Sequence, residues 1–323
     1  MYDNITLEKG LYNISGKTFT EALAELDRDE NYIGTELEGL DAYERQLKRF
    51  DIKISGANSD RVEKFFKTTQ SAVLFPEFIR RMIKQGMDEA SILPYLVAAT
   101  TYTDGIDYRG LTIVNDADTA AVGIGAEFPN TEIAYSENIV EISKYGREIN
   151  TSYEVLRKQR LDVFAVVLKS IGANISRTLN IDAMEAIKKN AAITDTIGDS
   201  LTFIDLALFW ASLKGHNMNA MICSPTVMAI ILSMEEMHYN DTEVINGNIV
   251  KTPYGVTLVK CPGMDDNTLI GLDSTSTLEM VLGSDVIVDH DKLISTQIDR
   301  IVVSISAGFT KVYPEAVNIL TVG

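Results

Sequence analysis

The stretch "VEISKYGREINTSYEVLRKQRLDVF", residues 140–164, changes its hydrophobic period part-way along. Its apolar side chains first occupy alternate positions, at Val140 and Ile142, which is typical of a half-buried strand. Toward its end they lie three residues apart, at Leu161 and Phe164, which is typical of an amphipathic helix. The sequence therefore predicts a strand that leads into a helix, with no glycine-rich phosphate loop at the join.

The predicted helix is unusually long. Its apolar positions continue three and four residues apart as far as Leu179, and no proline occurs between Pro129 and Pro225. We place the helix at about residues 152–188, a length of roughly 55 Å. Thr151 is the predicted N-cap, with Glu154 completing a capping box.

The segments that precede this helix divide into three. Residues 1–70 are polar and carry short one-sided helices, the first of which is preceded by Thr18 and Glu21 at capping-box spacing. This pattern predicts an arm that lies on the rest of the molecule or on a neighbouring subunit. Residues 71–96 predict a helix that starts near Pro76. Residues 98–138 are small, β-branched or turn-forming, so they predict an extended hairpin-like excursion, closed by a strand over residues 139–142.

After the long helix the pattern alternates between helices and short strands. Residues 191–295 predict a mixed α+β unit, in which Trp210 is expected in the core. Residues 296–323 predict two strands joined by a turn near Pro314.

The charge balance limits the possible partners. Acidic residues outnumber basic ones by 46 to 29, for a formal charge of −17, which argues against broad contact with phosphate backbones. The two cysteines, Cys223 and Cys261, form no CxxC pair, so neither a disulfide framework nor a zinc site is predicted. No signal peptide or membrane span is predicted, and the chain is expected in the cytoplasm.

A search for catalytic motifs predicts no catalytic, cofactor-binding or metal-binding residue. Gly123 and Gly125 are interpreted as turn or strand glycines, because the third glycine of a dinucleotide fingerprint is absent. The stretch "DVIVDHDK" contains Asp285, Asp289, His290 and Asp291, which could hold a divalent cation. We expect instead a solvated turn between two strands.

The order of these parts resembles the Hong Kong 97-type major capsid proteins of tailed bacteriophages. The likeness covers residues 71–323 and is carried by an Ala-Glu step, a proline, an alternating strand, a lysine and a Ser-x-Glu-x-Leu helix opening. These positions are Ala126, Glu127, Pro129, Val140, Glu141, Ile142, Lys144, Ser152, Glu154 and Leu156.

The resemblance implies an α+β capsid fold. It implies an N-arm at residues 1–70, followed at 71–150 by the start of the peripheral domain and an E-loop at about 98–138. It places a spine helix at 151–190 and an axial domain at 191–295. Residues 296–323 are expected to return to the peripheral domain.

The resemblance also implies a function. The chain is expected to be a structural subunit, not an enzyme, that assembles into the hexamers and pentamers of an icosahedral phage head enclosing double-stranded DNA. Its expected partners are other copies of itself, a portal, scaffolding proteins and decoration proteins, with no sequence-specific DNA binding and no membrane. Its expected location is the virion capsid, assembled in the host bacterial cytoplasm.

Contacts between subunits are expected on the E-loop. Tyr102, Arg109 and Phe128 are the predicted contact residues. Some members of the family lock their shells with isopeptide bonds from an E-loop lysine, but residues 101–138 contain no lysine. The resemblance therefore implies a shell without covalent links between its subunits.

Two alternatives remain open at this stage. An encapsulin-like nanocompartment would share the fold but enclose a cargo enzyme. A soluble metal-dependent enzyme would use Asp285, Asp289 and Asp291 as ligands.

Overall fold

The computed structural model describes residues 2–14, 16–105, 107–115, 121–195, 200–238, 244–246 and 249–322. Residues 106 and 116–120 of the predicted E-loop therefore lie outside the described residues. The α-helices are α1 Phe19–Leu26, α2 Ala42–Arg49, α3 Thr69–Ala72, α4 Leu74–Ala90, α5 Tyr153–Lys158, α6 Leu161–Lys188, α7 Phe203–Trp210 and α8 Pro225–Leu232. The strands are β1 Val97–Tyr102, β2 Tyr108–Asn115, β3 Thr131–Val140, β4 Ser143–Ser152, β5 Ala192–Asp195, β6 Ala220–Cys223, β7 Val244–Asn246, β8 Ile249–Lys251, β9 Thr257–Lys260, β10 Thr268–Leu272, β11 Leu278–Leu293, β12 Ile298–Lys311 and β13 Val317–Thr321.

The chain divides into two compact units, and each is built from several segments. Unit 1 contains Met1–Ala90, Gly146–Ile175 and Val286–Ser304. Unit 2 contains Ser91–Tyr145, Ser176–Asp285 and Ile305–Gly323. The chain passes from one unit to the other directly after α4 and then within β4, α6, β11 and β12.

The N-terminal residues of unit 1 belong to a packed core. Thr18 caps α1 and forms the predicted capping box with Glu21. Further along, Phe19, Tyr43 and Phe65 are buried. The ring of Phe65 lies 5.5 Å from that of Phe75 on α4. Residues 1–70 therefore pack against their own chain, which is the first of the two predicted arrangements.

A buried ion pair connects α1 to α2. The Arg45 side chain is fully buried, and its Nε donates to Asp27 Oδ2 at 2.7 Å. The Tyr32 hydroxyl donates to the other Asp27 oxygen at 2.6 Å, and the Arg45 guanidinium lies over the Tyr32 ring. Because each charge has hydrogen-bonded partners of good geometry, their attraction offsets the cost of removing the pair from water.

Two glycines allow α4 and α6 to pack closely within unit 1. A Cβ built on Gly172 would lie 2.1 Å from the Ile83 carbonyl oxygen, and one on Gly86 would lie 2.1 Å from that of Lys169. Such distances are far inside van der Waals contact, so only glycine fits at either position. The helix continues through Gly172, because its cost in helix propensity is offset by packing.

The long helix differs from the prediction at its beginning. It is split into α5 and α6 at Gln159, whose backbone is extended. The Gln159 carbonyl accepts from the Val62 amide at 2.9 Å, and the Leu161 amide donates to the Asp60 carbonyl at 2.8 Å. These bonds to a distant segment replace helical ones, so one uninterrupted helix was a wrong prediction.

Two boundaries near this helix were also wrong. The N-cap of α5 is Ser152, not Thr151, and its side chain accepts from the Val155 amide. The strand expected over 139–142 is divided, because β3 ends at Val140 and β4 begins at Ser143.

Unit 2 is built around a seven-stranded sheet whose described order is β5-β13-β10-β6-β9-β8-β7. Alternate residues of β6 enter the two cores on its opposite faces. Met221 and Cys223 pack with residues of α7 and α8. Ala220 and Ile222 pack with the C-terminal part of α6, including Met184.

The C-terminal strands join different sheets. A four-stranded sheet has the order β1-β11-β12-β4, whereas β13 pairs with β10 and β5 in the seven-stranded sheet. The expected return of residues 296–323 to the peripheral domain stays a prediction. The expected turn at "DVIVDHDK" was also wrong, because these residues continue β11 in extended conformation.

The prediction for Trp210 was wrong as well. Trp210 lies at the end of α7 with 44% of its surface exposed, and Leu208 is 54% exposed. Phe209, between them, is the residue that enters the core. An apolar helix buries only the face that meets the sheet, and periodicity in so short a helix did not indicate which face that is.

Candidate functional site

The β2–β3 hairpin, described over residues 108–115 and 121–140, contains a two-stranded sheet of its own. Its strands pair antiparallel from Tyr108 opposite Val140 to Asn115 opposite Thr131, with a register shift between Arg109 and Leu111. The sheet contains no other described strand. Isolated two-stranded hairpins are marginally stable in water, so this one gains from contacts beyond its own pairing.

The base of the hairpin is anchored to β11. Glu279 is buried, and it accepts hydrogen bonds from the Thr101 hydroxyl at 2.6 Å and the Tyr108 hydroxyl at 2.5 Å. Burial and the bond to Glu279 raise the pKa of Tyr108, so its hydroxyl stays a donor at neutral pH. The start of the hairpin is thus fixed to unit 2.

The remainder of the hairpin exposes large apolar side chains. Along β3 every described side chain from residue 131 to 139 except Ser136 is exposed, so side chains on both faces of this strand meet solvent. The exposed large apolar residues of the hairpin are Leu111, Ile124, Phe128, Ile133, Tyr135 and Ile139. A concentration of exposed apolar surface of this kind is typical of a protein–protein interface.

The structure places the three predicted contact residues on separate segments. Tyr102 ends β1 and is 74% exposed, and Phe128 precedes β3 and is 82% exposed. Arg109 is exposed on β2, opposite Ile139. All three are available for contact, and their role in contacts between subunits stays a prediction.

The hairpin also carries unpaired carboxylates. Glu127, Glu132 and Glu137 are exposed, and none of them forms an ion pair with any described residue. In the sequence, residues 101–138 contain a single basic residue, Arg109, against the acidic residues Asp104, Asp107, Asp116, Asp118, Glu127, Glu132 and Glu137. The hairpin is therefore both apolar and strongly acidic.

Unit 1 carries a cluster of the opposite sign, which we call the cation–aromatic cluster and define as Phe66, Tyr153, Arg157 and Lys292. The Lys292 ammonium lies 5.1 Å from the Phe66 ring centroid and 5.8 Å from that of Tyr153. The Arg157 guanidinium lies 5.8 Å and 5.9 Å from the same two centroids. Both cations are exposed, and neither forms an ion pair within the described part of the chain.

Sequence reasoning missed this cluster. Its residues come from a 3-10 helix at Val62–Lys67, from α5 and from the end of β11. The one local signal was the spacing of Tyr153 and Arg157, which are four residues apart and share a helix face.

The candidate metal ligands do not form a recognisable site. Asp285, Asp289 and Asp291 share one face of β11, and His290 lies on the other face. At a rise of about 3.3 Å per residue, the three carboxylates are spread over roughly 20 Å of the strand, too far to converge on one ion. His290 Nε2 is 2.9 Å from Asp299 Oδ1, which gives the imidazole a hydrogen-bond partner. Among the residues that the structure describes, no group of three or more His, Cys, Asp or Glu side chains could hold a metal ion.

A serine, a histidine and an aspartate do meet at the turn after β10. Ser276 Oγ lies 3.2 Å from His216 Nδ1, and Asp273 Oδ2 lies 3.8 Å from the same nitrogen. A catalytic triad needs the serine and the aspartate on different ring nitrogens. This arrangement therefore does not provide a general base for the serine.

Asp273 stabilises the turn after β10 through hydrogen bonds. Although burial raises its pKa, hydrogen bonds from the Thr275 hydroxyl and amide and from the Asn217 amide lower it below the usual value. The carboxylate thus holds the turn together.

The thiols are not nucleophiles at neutral pH. Burial raises the pKa of Cys223 to about 12 and that of Cys261 to about 11. Neither is in a disulfide. None of the described helices has both the length and the apolar content needed to span a membrane.

The sequence matches one family. A model of the family described as "Phage capsid protein" matches residues 136–317, more than half of the chain. The chain belongs to this phage capsid family. It is therefore a structural subunit of phage heads, which confirms the resemblance seen in the sequence. No curated protein matches the sequence.

Solved structures share the fold of this capsid subunit. A structure from Gordonia phage Cozz has a TM-score of 0.52 at 13% identity, covering 72% of this chain and 86% of its own. The capsid of cyanophage P-SCSP1u has a TM-score of 0.52 at 12% identity, covering 72% and 88%. A virus-like particle from Pyrococcus furiosus has a TM-score of 0.51 at 14% identity, covering 76% and 98%. These matches confirm the predicted fold class.

Proposed function

We propose that this capsid subunit forms the hexamers and pentamers of an icosahedral phage head that encloses double-stranded DNA. The observation that carries the proposal is the family match over residues 136–317, since it covers β4, α5, α6 and most of the seven-stranded sheet. Shell subunits work by association with other copies, and the hairpin offers exposed apolar surface for that purpose.

Contacts through the hairpin and the end of β1 are part of the proposal. Tyr102, Arg109 and Phe128 are exposed, and we assign them to the contact with a neighbouring subunit. Aromatic and arginine side chains often dominate the energy of interfaces. Aromatic rings bury a large area with few rotatable bonds lost, and the guanidinium offers several hydrogen-bond donors. Because residues 101–138 contain no lysine, the contact is held by non-covalent forces.

The proposal includes no enzymatic activity. The serine near His216 lacks a suitably placed base, and both thiols are buried with raised pKa values. The encapsulin-like alternative is less favoured, because the family that matches is a phage capsid family.

The remaining partners follow from the proposed role. A phage head needs a portal, and its assembly employs scaffolding and decoration proteins that meet the same shell. The formal charge of −17 favours DNA that is enclosed rather than bound, because like charges repel. Assembly takes place in the host bacterial cytoplasm, where the two free thiols remain reduced.

Particle size tests the proposal. The full chain is expressed, purified without denaturant, and examined by sedimentation and negative-stain electron microscopy. Closed shells, or rings of five and six subunits, are the expected result. A monomer or dimer that persists across a range of salt and protein concentrations would contradict the proposal.

A further inference from the structure

We propose that the cation–aromatic cluster of one subunit receives the acidic β2–β3 hairpin of a second copy. This inference rests on the proposed function, because it names the surface that the hairpin contacts in the assembled shell. It pairs Arg157 and Lys292 with the carboxylates of Glu127, Glu132 and Glu137.

The charges of the cluster suit an anionic partner. Arg157 and Lys292 each lie within 6 Å of both the Phe66 and Tyr153 ring centroids, so two like charges border the same pair of rings. No carboxylate forms an ion pair with either cation in the described structure. Two cations beside the same rings repel each other, and a carboxylate placed between them would be attracted to both.

The rings give the cluster a second property. Phe66 and Tyr153 are only partly buried, and the Tyr153 hydroxyl has no hydrogen-bond partner among the described residues. A partner that offers both apolar side chains and carboxylates would therefore complement the whole cluster. The hairpin offers both, because Phe128 lies next to Glu127 and Ile133 lies next to Glu132.

A second copy carries the matching charges. Arg157 and Lys292, like Glu127, Glu132 and Glu137, form no ion pair among the described residues, so both surfaces can take part in a contact between subunits. Two subunits of charge −17 repel at long range. A favourable contact therefore needs local charge complementarity, and these two surfaces supply it.

The observations favour a second copy over nucleic acid. The cations lie over ring faces, and this occupies the aromatic surface on which bases of a single strand would stack. The net charge of the subunit also opposes a polyanion. Contact with enclosed DNA is thus the competing outcome of the test.

The test is a charge reversal with a matched rescue. Arg157→Glu together with Lys292→Glu should lower the yield of sedimenting particles about tenfold or more, since buried interface charge pairs are strongly coupled. Glu127→Lys, Glu132→Lys and Glu137→Lys together should lower it similarly. Both sets combined in one chain should restore most of the yield.

The control reverses two exposed lysines elsewhere in the chain. Lys9→Glu together with Lys214→Glu changes the net charge by the same amount and should leave the yield within about twofold. Circular dichroism melting of every variant shows whether the subunit still folds, and the substituted cations are exposed.

Each result decides the inference. A loss of particle yield in each charge reversal, restored when both sets are combined, supports the inference. Normal yield after cluster reversal, or loss without rescue in subunits that melt normally, overturns it. Normal particles that retain less DNA overturn it in favour of nucleic-acid contact. If the unmodified chain forms no particles, the proposed function fails, and this result is distinct from all of the others.

Discussion

Apolar side chains are buried at the contact between α4 and α6, whereas they are exposed on the β2–β3 hairpin. At the helix contact, Gly86 and Gly172 bring two backbones so close that no Cβ fits, and the neighbouring Ile83 and Leu168 are fully buried. On the hairpin, Phe128 and Tyr135 stay largely exposed. The apolar side chains at the helix contact are packed within one chain, whereas those of the hairpin are in contact with water.

This difference indicates which part of the molecule serves the single subunit and which serves the shell. A stable fold requires dense packing in its core, and the helix contact provides it. Exposed apolar and acidic residues add nothing to that core. Their concentration on one hairpin is explained by contacts that other copies supply.

The largest effect on stability is expected at the buried ion pair of unit 1. Asp27→Ala should lower the free energy of unfolding by about 3–5 kcal/mol, because it leaves the Arg45 charge buried without its main partner. Asp29 also contacts Arg45, but its side chain is 72% exposed, so Asp29→Ala is the matched control and should cost about 1 kcal/mol or less. Urea unfolding measures both, and equal losses would contradict the assignment.

Gly172→Ala should lower the free energy of unfolding by about 2–3 kcal/mol through overpacking against Ile83. Helix propensity alone predicts the opposite sign, a gain of about 1 kcal/mol. Gly123→Ala is the control on the hairpin side, because its Cβ would meet nothing within 4 Å. Denaturant melts that show Gly172→Ala to be stabilising would refute the close helix contact.

Carboxylates show the same contrast, because Asp273 is buried and hydrogen-bonded within the chain whereas Glu132 is exposed on the hairpin. Asp273 is held by hydrogen bonds that lower its pKa, so Asp273→Asn should cost about 1–2 kcal/mol at neutral pH. Because the folded pKa is lowered, this stabilisation is present above the unfolded pKa of about 4 and disappears as the pH falls through the folded value. Glu132→Gln, on the exposed hairpin, should change little at any pH. Urea midpoints of both variants across pH 7 to 3 check this, and a gap for Asp273→Asn that persists in acid would argue against it.

The smallest effect on stability is expected at the exposed aromatic residues at the end of β1 and on the hairpin. Tyr102→Ala and Phe128→Ala should change the free energy of unfolding by less than about 0.5 kcal/mol, because both side chains are exposed. The same variants should reduce particle yield in sedimentation. Loss of subunit stability with unchanged assembly would reverse the roles assigned to the two regions.

The sequence predicted the features that depend on local chemistry. The Thr18–Glu21 capping box, a helix that contains Pro76 and a strand leading to a long helix are all present. Each of these features depends on residues that are close together in the chain. The order of the predicted helices, strands and extended segments was sufficient to indicate the capsid fold.

The features that depend on distant residues were not predictable. The break at Gln159 is made by bonds to Asp60 and Val62, about a hundred positions earlier. The cation–aromatic cluster joins Phe66 to Lys292, which no spacing rule connects. The exposure of Trp210 depends on which face of α7 meets the sheet. Tertiary packing decides all three.

Hydrogen–deuterium exchange on unassembled subunits and on purified particles tests the central claim most directly, because it compares the two regions in one experiment. Peptides that cover β2 and β3 should exchange much more slowly in particles, whereas those that cover the α4–α6 contact should exchange alike in both states. Equal exchange of the hairpin in subunits and particles would contradict the claim that other copies cover it.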